Sequence, residues 1–267
     1  MSINLRGSVE CRLGFAAYRT RRIHAKNLST TNLICECEKV KSCMGSSMNH
    51  EFVIAPEMYL KTIHNLEAKT GAGRTGDIAQ ILGITPGSVT NTLEVLETKG
   101  LVAREPYKGV KLTKEGRRMA LSVFRRHRLA EKLLTDLLHL DWAESHEEAC
   151  KLEHAISDQL AAAVEKALGY PQTCPHGNPI PSKDGSVPQT DGRALSDLES
   201  GQKGTVSQIV DENTELLRYL SGLGVFPGVK IEVEEKAPFH GPIRVKIGSG
   251  SHALGLDVAS GIYVSKD

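Results

Sequence analysis

Cys150, Glu153 and His154 stand at positions i, i+3 and i+4. On a helix that spacing puts a thiolate, a carboxylate and an imidazole on one face, within reach of a single ion. Met58 offers a thioether as a fourth soft donor. His127 and Glu131 repeat the i, i+4 relation on the preceding segment, and His146 lies one turn before Cys150, so a second ion could bridge the two segments. A single such pair is commonly a solvated face. Seven donors at helical spacing point instead to a transition metal. Catalytic use of that metal would need a general base, an oxyanion donor or a phosphate loop beside the ligands, and none stands there. A metallohydrolase is therefore the weaker alternative.

These donors require two helices to hold them, and the sequence supplies them directly after a different module. Lys114 to His139 and Ser145 to Leu168 each read as a long helix with one apolar stripe. Upstream, Pro56 suits a first helical turn, and Met58, Ile63 and Leu66 are assigned to one face of that helix. Asp77 to Gly83 reads as a short helix stopped by glycine. Thr85 is placed as the N-cap and Pro86 as the first residue of a second helix reaching Lys99, which makes a helix-turn-helix. Leu101–Arg104 and Gly109–Leu112 alternate like a hairpin and complete a winged helix spanning 51–120. A helical metal-binding and dimerisation domain is expected over 121–169. A proline-rich linker follows over 170–200, and residues 201–267 read as a small SH3-like β-barrel of about five strands, with a helical turn near Glu212 to Leu220.

Charge supports the partition. The chain's 33 Lys and Arg against 32 Asp and Glu give a net charge of +1, yet residues 71–130 hold eleven basic and five acidic residues while residues 134–165 hold one Lys and eight acids. A basic module followed by an acidic helical one favours nucleic acid as the partner of the first. The second helix of a helix-turn-helix enters the major groove, so Thr85, Ser88, Thr90 and Asn91 are the candidate base readers. Lys108 in the wing, with Lys111, Lys114, Arg117 and Arg118, supplies phosphate contacts.

No apolar run approaches the ~18 residues of a spanning helix, so no membrane partner is expected. Residues 1–50 lack a hydrophobic period and read as a disordered or mis-started extension, with an amphipathic targeting peptide as the runner-up. Cys11, Cys35, Cys37 and Cys43 fall in this extension, and a lone Cys-x-Cys is a weak metal signal. With Cys150 and Cys174 as the remaining thiols, the pattern is no disulfide framework, and a reducing cytoplasm is the expected compartment.

From Glu57 to the end, the sequence resembles the iron-dependent, diphtheria-toxin-repressor-type metalloregulators and the related manganese transport regulators. The resemblance is carried by Glu57-Met-Tyr-Leu60, Gly100-Leu-Val102, Leu112-Thr-Lys-Glu-Gly116, Arg126-His-Arg-Leu-Ala-Glu131, His146-Glu-Glu-Ala-Cys-Lys-Leu-Glu-His154, Ser157-Asp158 and Gly177-Asn-Pro-Ile-Pro181. It implies a primary metal site of Met58, Cys150, Glu153 and His154. The ancillary site would be His127, Glu131 and His146, with Glu212 and Glu215 lent by the C-terminal domain. It further implies a homodimer through the long helices, operator DNA as partner, and two Fe(II) or Mn(II) ions per subunit acting as effectors. Thiolate and thioether donors shift preference from Mn(II) toward Fe(II). The alternative regulator, in which metal is only structural, would bind operator equally with and without chelator.

Overall fold

The computed structural model describes residues 49–265 apart from positions 106, 107, 191 and 240, with side chains from Pro56 onward. The readings of residues 1–48, including Cys11, Cys35, Cys37 and Cys43, lie outside the described residues. Helix α1 spans Asn49–Thr70 and carries Pro56 in its interior, so it begins two turns upstream of the expected start and takes in residues 49 and 50. Its buried stripe is Tyr59, Leu60, Ile63 and Leu66. Met58 is not on that stripe: at about 100° per residue it sits some 140° round the helix from Ile63, and it is 44% exposed.

Helix α2 (Thr75–Leu82) ends on Gly83 in the left-handed region, and helix α3 (Pro86–Thr98) opens on Thr85, whose hydroxyl accepts from Ser88 N at 3.2 Å. Strands β1 (Val102–Glu105) and β2 (Gly109–Leu112) pair antiparallel with Val102 opposite Leu112. Ile78, Val89, Leu93, Leu96, Val102 and Val110 join the α1 stripe in one apolar core. The module closes onto helix α4 (Lys114–Asp136) at Gly116, where a Cβ would stand 1.9 Å from Leu101 O. Gly116→Ala should therefore cost about 2–3 kcal/mol of overpacking strain, read as a lowered urea midpoint at constant slope. An unchanged midpoint would refute that close approach.

The second long helix of the sequence reading is broken in two. Helix α5 covers Ser145–Leu152 and helix α6 covers Asp158–Ala167. Ser157 adopts an extended backbone and its hydroxyl accepts from Leu160 N, so it starts a new helix where periodicity alone suggested continuity. Leu129, Ala130, Leu134, Ala149, Ile156, Ala161 and Val164 hold α4, α5 and α6 together.

Residues 170–200 do more than connect. Cys174, His176, Asn178 and Ile180 are buried, and Gly177 (φ +82°) lies so close to strand β4 (Lys203–Ile209) that a Cβ would meet Ser207 O at 2.1 Å. Strand β3 (Arg193–Ala194), β5 (Lys230–Lys236), β6 (Ile243–Ile247), β7 (Gly250–Leu254) and β8 (Ile262–Ser265) complete a six-stranded antiparallel sheet in the order β3-β8-β4-β5-β6-β7. Among the described residues β3 and β7 do not pair with each other, so the sheet is open where a closed barrel of about five strands was expected. Helices α7 (Thr214–Gly222) and α8 (Leu256–Ser260) cover its core. Trp142 and Ala143, from the α4–α5 connection, pack into that same core.

Candidate metal centre and nucleic-acid interface

Buried Val89, Leu93 and Leu96 fix the inner face of α3, which turns Ser88, Thr90 and Asn91 outward with Thr85 at its start. Thr90 Oγ1 donates to Pro86 O, so its methyl is the part left to face a ligand. Three of the proposed phosphate ligands are already paired: Lys108 with Glu105 at 3.1 Å, Arg117 with Glu67, and Arg118 with Glu115 at 2.6 Å. Lys111 and Lys114 are exposed and make no ion pair among the described residues.

The metal-type donors converge where α4, α5, the 174–178 segment and the turn after β4 meet. Glu131 Oε1 lies 2.9 Å from His127 Nε2, 3.1 Å from His146 Nδ1 and 3.3 Å from His176 Nδ1. Glu212 enters from the β domain, with Oε2 3.4 Å from His146 Nδ1 and Oε1 3.7 Å from His176 Nδ1. Two overlapping quartets result, each with ligand atoms within 4.8 Å of one another: His127, Glu131, His146 and Glu212, and Glu131, Cys174, His176 and Glu212. A third group joins His127 and His146 to Cys150.

Local chain geometry explains the assembly. His127 and Glu131 are one turn apart on α4, and His146 and Cys150 one turn apart on α5. The 174–178 segment is fixed by Cys174 N donating to Asn178 O, by Ile209 N donating to His176 O, and by Asn178 Nδ2 donating to both Ile209 O and Glu212 Oε1. Sequence reasoning did not place Cys174 and His176 in this cluster. Their Cys-x-His spacing just before Gly177 was the available signal.

The other expected ligands are placed differently. Glu153, the residue that caps α5, receives both of its hydrogen bonds from Lys61 Nζ, at 2.9 and 2.7 Å. His154 Nδ1 is 2.6 Å from Glu57 Oε2, and the other oxygen of Glu57 pairs with Arg126 at 2.5 Å. Glu153 Oε1 lies 3.3 Å from His154 Nε2, but among the described residues Cys150 does not join these two in one tight group, and Met58 is exposed. Glu215 is likewise exposed, in the first turn of α7, away from the cluster that Glu212 joins.

Electrostatics and packing test whether a cation fits. Burial works against the Glu131 carboxylate, but His127 and its other imidazole neighbours hold it well below the usual range. Burial pulls the His146 imidazole down; the Cys150 and Glu131 side chains more than reverse this and raise it to about 9. Burial pushes the Cys150 thiol up, yet His127 and His146 bring it down to about 6. Burial and then Glu131 raise Glu212, and burial with both carboxylates raises Cys174 well above the ordinary thiol range. Without metal, protons supply the positive charge that these carboxylates need. Two nitrogens, His127 Nε2 and His146 Nδ1, nonetheless stand 3.1 Å apart, and Glu131 Oε2 is buried without a hydrogen-bond partner. His127 Nδ1 lies 2.7 Å from Glu153 Oε2 but off the line of a well-formed hydrogen bond. One shared cation would relieve the nitrogen crowding and use the orphaned oxygen. Imidazole, carboxylate and thiol donors together fit a first-row transition ion.

A winged helix joined to a His, Glu and Cys cluster, with a ligand lent by a C-terminal β domain, defines the class of metal-responsive DNA-binding regulators. Residues 51–110 match the iron dependent repressor N-terminal DNA binding domain, residues 113–182 the iron dependent repressor metal binding and dimerisation domain, and residues 193–266 the FeoA domain. The chain is 33% identical to the iron-dependent repressor IdeR of Mycobacterium leprae over 81% of its own length and 99% of that protein's. It is 31% identical to the diphtheria toxin repressor of Corynebacterium glutamicum, covering 81% and 98%. A solved manganese-dependent transcriptional repressor in complex with manganese is similar at 36% identity and a TM-score of 0.72, covering 79% of this chain and all of that one. The chain belongs to the iron-dependent repressor family.

Proposed function

We propose that this protein is a metal-activated transcriptional repressor, a homodimer in the cytoplasm that binds double-stranded operator DNA when Fe(II) or Mn(II) is available, with two ions per subunit and no enzymatic activity. The observation that carries the reading is the origin of the ligand cluster. Helix α4 leads directly out of the wing, α5 belongs to the helical domain, His176 to the connecting segment and Glu212 to the β domain. A cation held by all four would fix each relative to the others. Bound metal would supply the positive charge that lets these donors shed their protons while staying in contact. His127, Glu131, His146 and Glu212 would hold one ion, with Cys174 and His176 extending the same carboxylates. Cys150, Glu153 and His154, with Met58 brought in from α1, would hold the other. Arg126 and Glu57 orient His154 from behind, the outer-shell arrangement that fixes a ligating imidazole. Free thiols at Cys150 and Cys174 support Fe(II) over Mn(II).

Genomic fragments selected with Fe(II) under anaerobic conditions provide the operator for the test. Its affinity should rise at least about tenfold on metal loading and fall back on chelation, with Fe(II) acting at lower concentration than Mn(II). Equal affinity in a demonstrably metal-free sample would leave a regulator with structural metal only.

A further inference from the structure

Lys61 lies on α1, one turn after Glu57, and its Nζ donates to both carboxylate oxygens of Glu153. The pair is well sheltered, with side chains 18% and 3% exposed, and the ammonium also sits 5.5 Å from the centre of the Phe124 ring. Bidentate capture of a carboxylate by a fixed cation neutralises the charge that a divalent ion would otherwise use, and any ion reaching Glu153 would also meet the repulsion of Lys61. We propose that Lys61 is an internal counter-cation that holds Glu153 in the metal-free protein and must yield that carboxylate, wholly or in part, to a divalent ion, so that it sets the metal concentration at which the protein switches. This rests on the reading of Glu153 as a ligand.

The device also has a mechanical side. Glu153 ends α5 in the helical domain, whereas Lys61 belongs to the first helix of the DNA-binding module. The ion pair therefore ties the two modules in the metal-free state, and giving it up frees α1 from this tie as metal arrives. Lys61 is a positioning residue in this scheme, acting through Glu153.

The test titrates Mn(II) alone into the full chain carrying Lys61→Met, which keeps an apolar stem without the charge, and into Lys61→Gln, which keeps a donor without the charge. Both should bind Mn(II) about five- to tenfold more tightly than the unsubstituted protein, the low end of ordinary site coupling. Both should also unfold at lower temperature when metal-free, and Lys61→Arg should restore the original affinity. A purely structural role predicts the opposite sign, because a loosened Glu153 would ligate less well. Unchanged or weaker Mn(II) binding in whichever neutral variant folds overturns the proposal. Glu153→Gln separates the two levels. It should lose Mn(II) affinity, and if it does while the Lys61 variants bind no more tightly, only the counter-cation role fails. Should Glu153→Gln bind Mn(II) like the unsubstituted protein, the ligand assignment fails and the role of Lys61 with it.

Discussion

Glu131→Gln should abolish metal binding at the site that His127, Glu131, His146 and Glu212 form. Glu131 is fully buried, its Oε1 is within 3.3 Å of three imidazole nitrogens, and it belongs to both quartets. An amide keeps the shape but loses the charge and turns one terminal atom into a donor, which faces imidazoles that no longer have a carboxylate to balance them. Removal of an outer-shell partner weakens metal binding roughly ten- to hundredfold; loss of a carboxylate shared by both quartets should weaken binding at that site by more than about a hundredfold. The metal-free protein should also suffer, because breaking a buried charge network costs about 3–5 kcal/mol. Isothermal titration with Mn(II) reads the first effect and metal-free thermal unfolding the second. A two-site Mn(II) titration unchanged within threefold at both sites would show that the cluster is a proton-filled structural network.

The second large effect concerns pH. In the metal-free protein His146 is held at about 9, so it is protonated at neutral pH, while Cys150 at about 6 is already a thiolate there. A ligating imidazole must be neutral, so metal binding at pH 7 releases at least one proton. Apparent affinity should therefore climb about tenfold per pH unit for each proton released, with the His146 proton dropping out of the competition above about pH 9. Below about pH 6 the thiol adds a further proton to the competition. Calorimetry in buffers of different ionisation enthalpy counts those protons directly, and a count of zero at pH 7.5 would remove the charged-imidazole account.

The same shifts set the stability of the metal-free chain. The raised His146 value means its stabilisation is fully present below pH 6.5 and lost as pH rises through about 9. The lowered Cys150 value means its stabilisation is present above pH 9 and lost as pH falls through about 6. The thiolate–imidazolium contact is thus intact between about pH 6 and pH 9.

The helix from Pro86 to Thr98 was legible because its signals are local. Thr85, Pro86 and the apolar spacing of Val89, Leu93 and Leu96 act within one helix, and the structure keeps all of them. The pairs His127 with Glu131 and His146 with Cys150 were readable for the same reason, since i, i+4 spacing needs only a helix. What brings those pairs together is not local. Cys174 and His176 arrive through a segment whose backbone is held by Ile209 and Asn178, and its proline content looked like a simple connection. Glu212 and Glu215 looked equivalent until the N-cap at Asn213 fixed where α7 begins, which sends Glu215 to solvent. Met58 was misplaced by treating a five-residue step as a helical repeat. The partners of Glu153 and His154 lie 92 and 97 residues away on α1, a separation at which pattern carries no information.

Trp142 is the chain's single tryptophan. It stands in the α4–α5 connection against the β domain, donating from Nε1 to Pro175 O at 3.1 Å, 4.8 Å from the His176 ring and 5.0 Å from the Phe226 ring. The molecule thus carries a built-in optical gauge of its own domain junction. Imidazolium is a strong quencher of indole emission, so the fluorescence of the unlabelled protein follows two events at one position. One would be the exchange of a proton on His176 for a metal ion, if the cluster takes one, and the other would be any parting of the β domain from the helices. Stopped-flow emission can time the seating of the ion against DNA capture without a dye.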